Sequence, residues 1–139
     1  MAGSVIVDSG FLVAFASKRD RDHDWALSVA RLHAPPWQTC EAVLSETNYV
    51  LGKEWLGFLA TLIKRRALIC DFHVADSVVE IVDLMEKYAD VPMSFADACL
   101  VRMTEIMPNP ILLTTDSDFR IYRRLGRRTV PTMMPRDRE

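Results

Sequence analysis

The stretch Ser4-Val5-Ile6-Val7-Asp8-Ser9-Gly10, SVIVDSG at residues 4–10, drives three β-branched residues straight into a carboxylate and a turn. The β-branched run reads as a short buried strand. Ser9-Gly10 is the punctuation that ends it. An acid at the tip of an apolar strand loses hydration, so Asp8 either opens the turn or serves chemistry there.

Outward from this strand, similar runs recur at 67–72 (ALICDF), 111–115 (ILLTT) and 129–134 (TVPTMM). A short extended piece is expected at 36–39, after Pro35-Pro36. Helical patterns fill the intervals at 10–16, 22–33, 40–51, 53–66, 76–88 and 94–106. Asp22 is the expected N-cap of the second helix, and Pro108 and Pro110 end the last. Helices alternating with short apolar strands predict an α/β layer fold with a mostly parallel sheet.

The bulk numbers narrow the function classes. A chain of 139 residues suits one compact domain. A formal charge of −2 makes it no polycation, so a nucleic-acid partner would need a local basic patch. The start, MAGSVIV, has no basic region followed by a long apolar one, so no signal peptide is expected. No apolar run reaches the roughly 18 residues of a membrane span. Cys40, Cys70 and Cys99 are odd in number and match no zinc spacing, which suits reduced thiols in a cytoplasmic protein.

Four acids stand in unusual places. Asp8 ends the first strand, and Asp116 follows the strand ILLTT in LLTTDSDF. Carboxyl ends of parallel strands line the crevice where α/β folds bind ligands. Glu46, in CEAVLSETNYVL, shares a helix face with Ala42, Val43, Tyr49 and Val50, and is expected to interrupt a buried stripe. Asp97, in SFADACLVRM, shares its face with Met93, Leu100 and Val101. Three have a plain structural reading, Asp8 and Asp116 as turn residues and Asp97 as the partner of an N-cap Ser94, whereas that of Glu46 is the weakest, because a surface glutamate should not lie on an apolar face. Should the four converge, like charges would need protonation or a divalent cation. All-oxygen ligands favour Mg2+ or Mn2+ over zinc.

These segments resemble the PIN-domain ribonucleases, and among them the VapC-type toxins of bacterial toxin–antitoxin pairs. VIVDSGFLVAF, SETNYVL, SFADACLV and LLTTDSDF stand in the order and separation of that family's four motifs. The resemblance covers nearly the whole chain and implies a single PIN-like domain over 1–139. It implies a three-layer α/β fold, with a mostly parallel sheet of four to five strands flanked by helices. It also implies a catalytic quartet of Asp8, Glu46, Asp97 and Asp116. Asp8, Asp97 and Asp116 would hold Mg2+ or Mn2+, with Asp118 accessory and Ser9 and Thr114 orienting the carboxylates. The implied activity is endoribonuclease cleavage of structured RNA, such as a tRNA. The implied partners are a cognate antitoxin and a second copy of the chain, in the cytoplasm and without a membrane.

RNA beside an acidic crevice needs basic rims. Lys18, Arg19 and Arg21 form one candidate, and Lys64, Arg65 and Arg66 another. Arg120, Arg123, Arg124, Arg127 and Arg128 are favoured because they follow Asp116 closely. Trp55, Phe58, Leu59 and Leu62 share a helical face, broadened by Leu56 and Ile63, and read as core. The rival readings are a non-catalytic RNA- or protein-binding module of the same shape, a housekeeping RNA-processing nuclease, a DNA nuclease, or a phosphotransfer domain. A haloacid-dehalogenase-like phosphatase needs an acid where Gly10 stands, and a receiver domain needs a lysine that does not follow Asp71.

Overall fold

A computed structural model describes residues 3–138. The apolar run Ser4–Val7 forms β1, which takes the centre of a five-stranded sheet. Its neighbours are β2, Trp37–Gln38, and β4, Pro110–Leu113. Leu68–Ile69 forms β3 beyond β2. Thr132–Met133, labelled β7 in chain order, pairs with β4 at the other edge. All four pairings are parallel.

Parallel strands need long crossovers, and helices supply them. Ser9–Ala16 (α1) and His23–Leu32 (α2) lead from β1 to β2. Glu41–Leu51 (α3) and Glu54–Lys64 (α4) lead from β2 to β3. Val78–Lys87 (α5) and Phe95–Ile106 (α6) lead from β3 to β4. Between β4 and β7 lies a small antiparallel pair, β5 (Arg123–Arg124) and β6 (Arg128–Thr129).

The fold class agrees with the expected mostly parallel α/β sheet flanked by helices. The strands are shorter than their apolar runs. The 67–72 run pairs only at Leu68 and Ile69, and the 129–134 run divides between β6 and β7, with Val130 and Pro131 between them. Asp22 stands at the start of α2 but makes no side-chain cap; its carboxylate pairs with Arg138 instead. Trp55 and Leu62 are buried as read, whereas Leu56 and Ile63 face outward.

Ile6, Val7, Leu112 and Leu113 are wholly buried between the layers, as is the inner face of α6 from Ala98 to Met103 on the side of Cys99 and Leu100. Trp37 packs edge-on against the stacked rings of Phe11 and Phe15, its centroid 5.1 Å from Phe11 and 5.0 Å from Phe15. All three cysteines are free thiols, Cys40 and Cys99 buried against each other.

The strand order β3-β2-β1-β4-β7 has one consequence for function. The chain winds outward from β1 in one direction, then returns to its other side through β4. The reversal falls between β1 and β4, where a crevice opens at the carboxyl ends of the strands.

Candidate active site

Both strands at the reversal end in acids. β1 and β4 run in register from Ser4 opposite Pro110 to Val7 opposite Leu113. The Asp8 N–H continues that pairing by donating to the Leu113 carbonyl at 3.0 Å. Asp8 and the residues after Leu113 therefore emerge side by side.

Asp8 is only 5% exposed and caps α1. Its Oδ1 accepts from the Ser9 N–H at 2.7 Å, and its Oδ2 from the Thr114 hydroxyl at 2.7 Å. Thr114 in turn accepts from the Asp116 N–H at 3.0 Å. One buried hydroxyl thus ties the two acids together. Asp116 caps a short 3-10 turn, its Oδ1 accepting from the Asp118 N–H at 2.9 Å.

Asp97 arrives on the first turn of α6. Ser94 caps that helix, its Oγ accepting from the Asp97 N–H at 3.0 Å. The Asp97 carboxylate is held by the Tyr122 hydroxyl, which donates to Oδ2 at 2.8 Å. Tyr122 is wholly buried and rests edge-on against Phe119 and Tyr88. The sequence reading assigned Tyr122 nothing. A single tyrosine in the basic stretch FRIYRR has no periodicity to mark it.

Electrostatics show how close these acids are. Burial pushes the Asp8 carboxyl up to about 7, opposed by the Thr114 and Ser9 hydrogen bonds and reinforced by the charges of Asp97 and Asp116. Burial also raises Asp97; the Tyr122 bond opposes this and the Asp116 charge adds to it. Asp116 is raised by burial too, with the Asp118 N–H opposing. Among the described residues, none of the three is paired with a lysine or arginine.

Glu46 lies differently from its expected place. It is exposed, and of the residues read as sharing its face Val43 is buried whereas Tyr49 is 90% and Val50 63% exposed. The buried side of α3 is Val43 and Thr47, so the apolar stripe around Glu46 is a surface feature. Glu46 still reaches the site through Ser9, whose hydroxyl donates to Oε1 at 3.2 Å and stands 3.4 Å from Asp8 Oδ1.

The sequence that defines the PIN domain matches residues 5–125. The chain belongs to the PIN-domain family. This PIN domain is also similar in fold to the crystal structure of VapC20 from Mycobacterium tuberculosis, described as a toxin that cleaves the sarcin–ricin loop. The TM-score is 0.55 at 24% identity, over 69% of this chain and 77% of that one. No curated protein matches the chain in a comparison of sequences.

The PIN domain's acids form an all-oxygen donor set of the kind hard divalent cations take. Among the described residues no three acidic, His or Cys side chains close into a ready cage. The buried Asp8 carboxyl, raised to about 7 and lacking any lysine or arginine partner among the described residues, is the observation in the set that fits a compensating cation.

Two local features hold the PIN domain's crevice. A Cβ added to Gly10 would lie 2.1 Å from Thr115 Oγ1 and 3.2 Å from Thr115 Cβ. Gly10→Ala is expected to cost about 1–3 kcal/mol through this overlap and to spread β1 from β4. Urea unfolding checks the first effect, and the rate of RNA cleavage the second.

The arginine cluster beyond Asp118 divides between residues bonded to backbone carbonyls and residues left exposed. Arg123 donates its guanidinium to the carbonyls of Arg120, Ile121 and Tyr122. Arg124 donates to the Thr104 carbonyl on α6. Arg123 closes the turn that leads into β5 and Arg124 fastens the hairpin to α6, while Arg120, Arg127 and Arg128 are exposed. Arg123→Ala is expected to lower stability by about 1–2 kcal/mol without changing the salt dependence of RNA binding. Equilibrium unfolding and a salt titration separate the two.

Proposed function

We propose that this PIN domain, acting as a single unit over residues 1–139, is a divalent-cation-dependent endoribonuclease and the toxin of a toxin–antitoxin pair. The observation that carries the reading is one buried hydroxyl, Thr114, bonded to both the Asp8 carboxylate and the Asp116 N–H at the sheet's reversal point, with the charge of Asp97 acting on Asp8 and no basic side chain paired with any of the three among the described residues. Buried carboxylates so placed cost stability, and a fold retains such a cost where function needs it.

Asp8, Asp97 and Asp116 would hold Mg2+ or Mn2+. When bound, such a cation supplies activation of water and polarisation of a phosphoryl oxygen. The chain's own residues do the rest. Thr114 and the Ser9 N–H fix both oxygens of Asp8, and Tyr122 fixes Asp97. Glu46, exposed and held by Ser9, takes the proton of the attacking water.

The substrate is a structured RNA, such as a tRNA or a loop like the sarcin–ricin loop that VapC20 is described as cleaving. The working form is a cytoplasmic homodimer restrained by a cognate antitoxin. No helix of the described residues is long and apolar enough to cross a membrane. A larger cleft of about 850 Å³ suits the antitoxin, lined by Phe15, Leu27, Trp55 and Phe58 with Lys18 and Arg19 at its rim.

The test is incubation with total RNA in Mg2+ or chelator, followed by mapping of new RNA ends. Discrete ends that need Mg2+ are expected. Their absence, or cleavage indifferent to chelator, overturns the reading.

A further inference from the structure

Tyr49 is the most exposed large apolar side chain among the described residues, at 90%. With Val50, 63% exposed, it makes a contiguous exposed apolar patch, the kind of surface that marks a binding site. It stands one helical turn from Glu46 on the same face of α3, with Val50 beside it. Ser9, Ser45, Glu46, Tyr49 and Val50 line one shallow open cleft. The floor of that cleft is the Ser9 hydroxyl, which touches Glu46 and stands next to Asp8. The ring therefore forms the wall of the groove that leads to the carboxylates.

The wall's chemistry is selective. It offers an aromatic face, an aliphatic patch and two hydroxyls, and no basic group. Phosphates are held by cations, whereas unpaired bases stack on aromatic faces and sugars hydrogen-bond to hydroxyls.

We propose that Tyr49 is the stacking platform for an unpaired base of the RNA flanking the scissile phosphate. Ser9 and Ser45 border the path of its ribose. The proposal rests on the ribonuclease reading and adds that the RNA must be single-stranded where it passes α3. Tyr49 is thus a positioning residue, acting through substrate binding rather than on the reacting atoms.

The test measures binding in the Asp97→Asn background, which holds RNA without cutting it. The probes are a short fluorescein-labelled single-stranded RNA and a chain of the same length with abasic ribose throughout. Tyr49→Ala is expected to weaken binding of the base-bearing RNA roughly tenfold. It is expected to leave the abasic chain unaffected, with an unchanged melting temperature. Tyr49→Phe and Tyr49→Trp should restore the lost affinity, because stacking needs the ring and not the hydroxyl. In the cleaving protein, the same loss should appear in KM and not in kcat.

Equal affinity of Tyr49→Ala and the parent, equal losses for both probes, or no RNA binding at all overturns the platform. A Tyr49→Ala effect confined to self-association or to a protein partner overturns it too, assigning the ring to a protein interface. Tyr49-dependent binding without cleavage by the parent chain would sink the nuclease reading and leave the platform standing. Cleavage untouched by Tyr49→Ala would do the reverse.

Discussion

Asp97→Asn is expected to slow RNA cleavage by more than about 100-fold while the protein stays folded, since losing even an outer partner of a metal site costs about 10–100-fold. The substitution removes one negative charge and almost no volume. An asparagine oxygen can still accept from the Tyr122 hydroxyl, which now donates to Asp97 Oδ2 at 2.8 Å. The cap of α6 is untouched, because Ser94 accepts from the backbone N–H of position 97. Burial and the charge of Asp116 already hold the Asp97 carboxyl above its usual range, so neutralising it should not destabilise the fold. Mg2+ affinity, read by calorimetry, should fall together with the cleavage rate. A variant that keeps full activity would remove Asp97 from the catalytic set.

Asp8→Asn is expected to stabilise the metal-free protein at neutral pH. The folded carboxyl titrates at about 7 against 3.8 when solvated, chiefly through burial. The folded chain therefore keeps a proton that the unfolded chain releases between these values. Stability from this source is fully present below about pH 4 and is lost as pH rises through about 7. The gap between 3.8 and about 7 sets the loss at about 4 kcal/mol. Asp97 and Asp116 are raised too and add in the same direction. In chelator, the parent protein should melt at lower temperature as pH rises from about 5 to about 8. Asp8→Asn should flatten most of that slope, and Mg2+ should reverse it in the parent alone. A parent protein with no pH slope in chelator would show Asp8 to be freely solvated.

The parts of the site legible in the sequence are those where a strand ends in an acid. VIVD and LLTTD combine an apolar run, which must be buried, with a carboxylate, which resists burial. That conflict is local and can be read in one dimension. Asp97 was legible for a similar reason, since Met93, Leu100 and Val101 around it are in fact buried. Glu46 was misplaced because an apolar stripe on a helix marks a core and a binding surface alike. Only the neighbours decide which, and here Tyr49 and Val50 have none. The arginines after Asp118 were only partly legible, because a sequence displays cations but not the carbonyls that some of them bind. Arg123 and Arg124 are bound to backbone oxygen from elsewhere in the fold or within the turn. Tyr122 was missed because its meaning is a contact made 25 positions away.

The link from Asp8 through Thr114 spans 106 positions of sequence. A nascent polypeptide leaving the ribosome carries Asp8 early but cannot secure it until β4 has been made and docked. Domains assemble in the order of synthesis, and distant pairings form last. A chain stalled or cut before Thr114 exposes its first strand without a competent crevice. Vectorial synthesis thus leaves the Asp8 carboxylate unsecured until β4 and Thr114 have emerged.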